Sequence, residues 1–313
     1  MRDYDGAVKI RIGHLSTFYH TALLLMGRND LVSQVGAEIE WTLLGTGPAI
    51  MQAFGADELD LAYIGLPPAI IGIEKGIDVV CIAGGHMEGT VMAGKAKWKD
   101  LDECRDIVTV MRQFSGRQIG VPGNGSIHDV ILKDCIERHA PGLGITVRNY
   151  PWADLVTEAV VTDEVAAAFG TPALGIAIKR FANGRILVPP RALWPNNPSY
   201  GIVVRRRFLL EHRNLVKRLL IAHEAAEELL RGDPFRAAQD IARQVGVVDE
   251  SFVRETLQVS PKYCAALTPD YIASTMEFMK ALLQMGYIRK EVSEKDIFDR
   301  TLIDEVHPTP DHY

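Results

Sequence analysis

Short apolar stretches alternate with glycine-rich polar turns and amphipathic stretches along the first two thirds of the chain. Residues 8–15 (VKIRIGHL) alternate apolar and polar positions, as a strand does, and polar residues 16–20 separate them from a helical pattern over residues 21–35. This order of strand, turn and helix recurs, which predicts mostly parallel sheets with helices on both faces. The predicted strands are 8–15, 38–43, 59–64, 79–83, 119–121, 145–150, 164–169, 185–188 and 200–204.

The same pattern predicts the helices and the irregular segments. Residues 84–89 are expected to form a turn, 95–105 a polar connector, and 189–198 an irregular loop. From residue 207 onward the spacing is helical, and the segment after Ile303 is predicted to be a loose tail. The predicted helices are 21–35, 49–54, 69–75, 127–140, 153–161, 174–181, 209–231, 235–244, 253–259 and 270–285.

One strand-to-helix turn shows why this pattern suggests binding. In GRQIGVPGNGSIH, residues 116–128, Pro122 ends a short strand and two glycines can adopt positive φ before Ser126, a good helix N-cap. Such a turn leaves backbone N–H groups free at the positive end of a helix dipole, which suits an anion or a polar ligand. The alternative is a turn that binds nothing. The run lacks both the Gly-Lys-Ser/Thr of a Walker A loop and the complete GxGxxG fingerprint.

Five predicted strand ends carry turns of this kind. Ligands of open α/β sheets collect at the carboxyl ends of the strands, so we expect the five turns to share one site. The turns are residues 16–20, 45–48, 65–67, 123–128 and 170–172.

Composition narrows the possible partners and locations. A chain of 313 residues is long enough for two domains. Its net charge of −6 argues against nucleic acid as a binding partner. No stretch approaches the ~20 apolar residues of a membrane span, so no direct membrane insertion is expected. Residues 1–13 lack the apolar core of a signal peptide, so we expect either a cytoplasmic protein or one whose export signal was removed. The four scattered cysteines are expected to be free thiols rather than a zinc site or disulfides.

The order of these turns resembles the type II periplasmic binding proteins. The segments that carry the resemblance are VKIRIGHLS, GTGPAIMQAFGADELDLAYIGLPPAI, VVCIAGG, SGRQIGVPGNGS and AAAFGTPA. The likeness runs from about Val8 to about Val259. It is greatest to the group that serves ABC transporters for nitrate, sulfonate, taurine or thiamin precursors.

The resemblance implies two doubly wound α/β lobes joined by a double-crossover hinge, with the helical C-terminal region on the first lobe. Lobe 1 would comprise residues 1–94 and 200–313, and lobe 2 residues 95–199. It implies no catalytic residue, no cofactor and no metal. Carried over by position, the ligand-binding residues are Ser16, Thr17, His20, Thr46, Gly47, Gly65, Leu66, Asn124, Gly125, Ser126 and Thr171. Residues near the same turns complete the expected site: Phe18, Tyr19, His86, Glu88 and His128.

The histidines distinguish this sequence from sulfonate and nitrate binders. His14, His20, His86 and His128 lie at or near the expected cleft, whereas no arginine stands in the turns to clamp an oxyanion. We therefore favour a small polar organic ligand, hydrogen-bonded by hydroxyls and imidazoles and stacked on aromatic rings such as Trp152. A metal site formed by these histidines is the alternative.

Two interpretations of the function remain at this stage. The first is a solute-binding protein that captures its ligand by hinge closure, without catalysis, for an ABC permease in the periplasm or at the cell surface. The alternative is a cytoplasmic enzyme on the same fold, of the menaquinone- or thiamin-precursor biosynthesis type. The string Trp194–Pro198 is expected to form a rigid interdomain loop, with Trp194 or Asn196 reaching the cleft lip as the alternative.

Overall fold

The computed structural model describes residues 8–313, and its strands form two five-stranded sheets. The first sheet has the spatial order β2 (Glu38–Leu43), β1 (Lys9–His14), β3 (Leu61–Ile64), β10 (Pro198–Arg205) and β4 (Val79–Met87). The second has the order β7 (Thr146–Tyr150), β6 (Gln118–Pro122), β8 (Ala167–Gly170), β5 (Val91–Lys95) and β9 (Gly184–Val188).

Helices connect these strands and cover both sheets. Those of the first sheet's opening units are α1 (Thr21–Gly27), α2 (Asn29–Val32), α3 (Gly47–Gly55) and α4 (Leu66–Glu74). Those of the second unit are α5 (Leu101–Cys104), α6 (Ile107–Arg112), α7 (Ile127–His139), α8 (Ala153–Val161), α9 (Pro172–Phe181) and α10 (Pro190–Leu193). The C-terminal helices are α11 (Arg206–Glu211), α12 (Arg213–Gly232), α13 (Pro234–Val245), α14 (Glu250–Val259), α15 (Pro269–Gln284), α16 (Glu294–Ile297) and α17 (Ile303–Val306).

The two sheets follow one plan. In the first, β1 pairs in parallel with β2 and β3, and in the second β6 pairs in parallel with β7 and β8. The strand that arrives from the other sheet, β10 in the first and β5 in the second, runs antiparallel to both of its neighbours. The predicted fold class of two doubly wound α/β lobes is confirmed.

The strand limits near the first crossover differ from the prediction. The chain passes between the sheets after Met87 and again after Val188. Residues 84–87, predicted as a turn, continue β4 because β10 pairs with them, with Tyr200 opposite His86. The prediction missed β5 because its short VMAGK run becomes a strand only through its pairing with β8 and β9.

Most C-terminal helices contact elements of the first sheet's half: α12 and α13 contact α1, α15 contacts α4, and α16 contacts β4. Two also reach the second sheet's half, where α14 contacts α9 and α15 contacts α7. The helix predicted over residues 209–231 is two helices, because the backbone at His212 departs from helical geometry (φ −127°, ψ 34°). The predicted loose tail is wrong: His307 is buried, and the Tyr313 hydroxyl donates to the Cys264 carbonyl oxygen at 2.8 Å. Within residues 8–313, no helix combines the length and apolarity that crossing a bilayer requires.

Candidate functional site

A cavity of about 50 Å³ lies between the two sheets, at the carboxyl ends of their parallel strands. It is lined by the turns after β1, β2 and β3 on one side and by those after β6, β7 and β8 on the other. Ten of the expected ligand-binding residues line it: Ser16, Thr17, Tyr19, His20, Thr46, Gly47, Gly65, Ser126, His128 and Thr171.

Of the helices with nine or more residues that begin at this cavity, four have N-caps that line it. Thr46 accepts a hydrogen bond from the Ala49 amide at 3.3 Å, and Thr171 accepts one from the Leu174 amide at 3.2 Å. The helices are α3, α4, α7 and α9, with N-caps Thr46, Gly65, Ser126 and Thr171. The converging helix N-termini direct backbone N–H groups toward the cavity, and the described residues that line it include no lysine, arginine, aspartate or glutamate.

Two buried polar atoms at the cavity have no hydrogen-bond partner among the described residues: Thr17 Oγ1 and His20 Nδ1. Both residues line the cavity, and less than a tenth of each is exposed. The His20 ring centroid lies 4.0 Å from that of Tyr200. Burial, and after it the nearby His86, lower the pKa of His20 well below 6.5, so its imidazole is neutral at pH 7. An unpaired buried polar group is costly, and a bound ligand can supply the missing partner.

His128 and Ser199 complete the polar wall. His128 Nδ1 lies 2.9 Å from the Thr90 hydroxyl, and burial lowers the pKa of His128 to about 4. The Ser199 hydroxyl donates to the Tyr19 hydroxyl oxygen at 2.9 Å. The wall therefore offers hydroxyls, neutral imidazoles and helix N-termini, a set that hydrogen-bonds a polar molecule without pairing it with a formal charge.

Residues 5–246, which are more than half of the chain, match the model of the NMT1-like family. The chain belongs to the NMT1-like family. Among curated relatives, a Brucella abortus protein named as a binding protein is 22% identical over 249 residues, which cover 78% of this chain and 73% of that protein.

Solved structures show the fold of this NMT1-like protein independently. The ligand-binding component of an ABC-type import system from Staphylococcus aureus, with zinc bound, has a TM-score of 0.79 at 17% identity and covers 96% of this chain and 100% of its own. The alkanesulfonate-binding protein SsuA from Xanthomonas axonopodis pv. citri, bound to MOPS, has a TM-score of 0.77 at 17% identity, covering 94% and 99%. The predicted resemblance to type II binding proteins of the nitrate and sulfonate group is confirmed.

Three expected site residues of the NMT1-like chain belong to the half of the structure built on the first sheet but do not line the cavity. Phe18 packs edge-on against Phe252, with 5.4 Å between ring centroids, in a neighbouring apolar groove. Leu66 is fully buried in the main hydrophobic core. His86 lies behind Tyr19, and its Nε2 contacts the Ser260 carbonyl oxygen at 2.5 Å.

Asn124 and Gly125, at the centre of the turn that first suggested binding, border a different depression beside Tyr287. The Tyr287 hydroxyl donates to Asn124 Oδ1 at 2.8 Å, and the Gly125 amide donates to Asp129 Oδ2 at 2.9 Å. Asn124 Oδ1 and the Gly125 amide are thus bonded within the protein, and Ser126 and His128 are the residues of this turn that line the cavity.

Glu88 lies in the segment that leads from the first sheet to the second. It forms hydrogen bonds with the segment that returns to the first sheet. It adopts φ +61°, accepts from the Asn196 amide at 3.1 Å and from Lys262 Nζ at 2.9 Å, and donates its own amide to the Asn197 carbonyl oxygen at 2.7 Å. Next to it, a Cβ on Gly89 would lie 1.8 Å from Ser199 Oγ, so only glycine fits. The charged side chain expected to touch the ligand instead fastens the two connecting segments together.

The Trp194–Pro198 string forms the structural loop that the sequence favoured. Trp194 stacks on Phe278 with 4.2 Å between ring centroids, its Nε1 donates to Ser274 Oγ at 3.1 Å, and Asn197 Nδ2 donates to the Trp194 carbonyl oxygen. Trp194 is therefore anchored in the C-terminal helices rather than at the cleft lip.

The four histidines near the cleft do not assemble into a metal site. In the described chain, the one group of three metal-ligating side chains at mutual ligand distance contains none of them. His14 instead contacts the Leu15 carbonyl oxygen at 3.2 Å and meets Trp41 edge-on.

The sequence analysis missed Ser199, which lines the cavity. Ser199 comes from the returning strand β10, which the sequence predicted to begin at Tyr200, one residue later.

Proposed function

We propose that this protein is the substrate-binding component of an ABC importer and captures a small uncharged polar molecule between its two sheets. It works outside the cytoplasmic membrane and passes the molecule to a permease without changing it. Membership of the NMT1-like family, together with relatives named as a binding protein and as ligand-binding components of import systems, supports this role.

The observation that carries the proposal is the unpaired pair Thr17 Oγ1 and His20 Nδ1 in a wall of helix N-termini. These atoms are ready to bond a guest with carbonyl, hydroxyl or ring-nitrogen groups. Because both wall histidines are neutral at pH 7, the site lacks the cationic clamp that a sulfonate would otherwise engage. We therefore infer a neutral ligand, although relatives of the same fold bind sulfonates.

The proposed working cycle is a hinge closure. A cavity of about 50 Å³ holds a few water molecules, whereas pockets for drug-sized ligands measure about 300–1,000 Å³, so capture requires the two halves to separate. The segments at Glu88 and Asn196 are the proposed hinge, and both contain a residue with positive φ. A ligand that contacts both halves stabilises the closed form through its greater affinity for that form.

We propose that the moving bodies are the predicted lobes, residues 1–94 with 200–313 and residues 95–199, adjusted so that β5 moves with the second sheet to which it is bonded.

The test is a thermal-shift and calorimetric screen of the purified chain against nicotinamide, an uncharged heteroaromatic amide, and against the sulfonates MOPS and taurine. We expect neutral probes of this class to raise Tm and sulfonates to leave it unchanged at 0.15 M salt. A rise with sulfonates alone would refute the neutral-ligand part. Chemical conversion of a bound probe would refute the binding role and favour an enzyme on this fold.

A further inference from the structure

A second cluster of reactive side chains lies in the C-terminal region, among residues that do not line the interlobe cavity. Cys264 Sγ lies 3.6 Å from His307 Nε2 and 3.6 Å from His312 Nδ1. All three atoms lie within 4.8 Å of one another. Cys264 and His307 are buried, whereas His312 is exposed and borders a surface pocket, so an ion can reach the cluster from solvent.

The spacing of these atoms is that of a tetrahedral zinc site. Zinc binds thiolate sulfur at about 2.3 Å and imidazole nitrogen at about 2.0–2.1 Å, so ligands at a tetrahedral angle place sulfur and nitrogen about 3.6 Å apart. Both sulfur–nitrogen distances in the cluster have this value. One ion can therefore contact all three atoms when the two nitrogens, which lie within 4.8 Å of each other, are about 3.3 Å apart.

A carboxylate lies beside one of the imidazoles. Glu224 Oε2 lies 3.0 Å from His307 Nδ1, and Glu224 Oε1 accepts from Arg231 at 3.0 Å. With Nδ1 facing the carboxylate, the Nε2 lone pair is directed to the sulfur side. Carboxylate partners of this kind accompany zinc-binding histidines and fix their orientation.

The backbone holds the thiol in place on two sides. The Cys264 amide donates to the Gly85 carbonyl oxygen at 3.1 Å, and its carbonyl oxygen accepts from the Tyr313 hydroxyl. Hydrogen bonding alone is the competing explanation, with Thr309 Oγ1 at 3.4 Å from His307 Nε2 as a further partner. That explanation requires the thiol to donate its one proton to one nitrogen and to accept an N–H from the other imidazole.

We propose that Cys264, His307 and His312 bind one Zn²⁺ ion, with the fourth position open to solvent. The ion joins the segment after α17 to the loop before α15 and, through Glu224, to α12. It is thus a structural clamp on the C-terminal region, independent of the ligand held between the sheets. Ligation through one thiolate and two imidazoles suits zinc better than magnesium or calcium, which prefer oxygen ligands.

The experiment titrates Co²⁺ as a spectroscopic probe into the full, tag-free chain after chelation, and then displaces it with Zn²⁺. We expect one equivalent to produce thiolate-to-cobalt charge-transfer absorption, and zinc to raise Tm. Cys264→Ser should abolish the absorption band. Glu224→Gln should weaken affinity about 10- to 100-fold while the band remains.

His312→Gln provides a variant at an exposed position, where misfolding is not expected, and it should weaken cobalt binding strongly. Cys104→Ser and His139→Gln are the matched controls, since neither residue belongs to the cluster, and both should bind cobalt as the native chain does. Absence of a charge-transfer band in the native chain would overturn the proposal. So would a band that survives Cys264→Ser, or binding unaffected by His312→Gln.

Discussion

Gly45→Ala should obstruct closure of the two halves without disturbing either one. Gly45 follows β2 of the first sheet and faces Pro151 and Trp152, which follow β7 of the second. An added Cβ would lie 2.5 Å from the Pro151 carbonyl oxygen and 3.0 Å from the Trp152 ring. Gly45 is not among the glycines with positive φ, so alanine fits its backbone.

The magnitude follows from the clash. An ordinary contact begins at 3.4 Å, so the opposing backbone must withdraw by about 0.9 Å, the difference between 3.4 and 2.5 Å. Overpacking of this kind costs about 1–3 kcal/mol. Here it destabilises the closed form alone, because the contact is absent from the open form. Since about 1.4 kcal/mol is a factor of ten, ligand affinity should fall about 5- to 150-fold. The free energy of unfolding of the free protein should not decrease, because alanine also restricts the unfolded chain.

Calorimetry gives the affinity, and small-angle X-ray scattering gives the compaction on ligand addition, both with a ligand identified in the screen. Gly232→Ala is the control, since no atom lies within 4 Å of its Cβ position. We expect the control to bind and compact as the native protein does. If Gly45→Ala bound within twofold of native and compacted to the same radius of gyration, closure across this contact would be refuted.

Three further predictions concern two residues of the cavity wall and three buried histidines. Thr17→Val should leave the free energy of unfolding unchanged or raise it but weaken ligand binding about 5- to 10-fold, because its buried hydroxyl has no partner within the protein. Ser126→Ala should lower the free energy of unfolding by about 1 kcal/mol, since its hydroxyl caps α7. Lowering the pH from about 6.5 to about 4 should lower Tm, because burial lowers the pKa of His86, His128 and His223 to about 4. The unfolded chain then takes up protons before the folded chain does.

A control or a contradicting result tests each of these three predictions. Thr275→Val, which removes a buried hydroxyl bonded to the Tyr271 carbonyl oxygen, should cost stability and spare binding, the reverse of Thr17→Val. Denaturant unfolding would contradict the capping role if Ser126→Ala left the midpoint unchanged. A Tm constant between pH 6.5 and pH 4 would show that the three histidines are not neutral and buried in solution.

Local sequence signals predicted much of the architecture. A strand that ends in a glycine or polar turn before a capped helix is encoded within about ten residues, so Ser126 could be identified as an N-cap from the sequence alone. Thr46 and Thr171 were expected at the site through the resemblance, and the helices that they cap begin two residues earlier than predicted. The helical spacing from residue 207 onward also predicted the C-terminal helices, apart from the break at His212.

The errors concern side chains whose direction depends on distant partners. Asn124 turns toward Tyr287, 163 residues away, and Glu88 toward Lys262, 174 residues away. The tail is ordered by contacts with Cys264, and β5 by its pairing with β8 and β9. No local pattern encodes such contacts, so the sequence predicted which turns meet but not which way every residue in them faces.

The central claim is that the gap between the two sheets holds a small molecule reversibly and releases it unchanged. Native mass spectrometry of the purified chain, followed by denaturation and identification of what is released, tests this most directly. We predict a one-to-one non-covalent complex with an uncharged polar molecule, recovered with its original mass and displaced by fresh ligand. Recovery of a chemically altered product, or binding that Thr17→Val and Gly45→Ala both leave intact, would contradict the account.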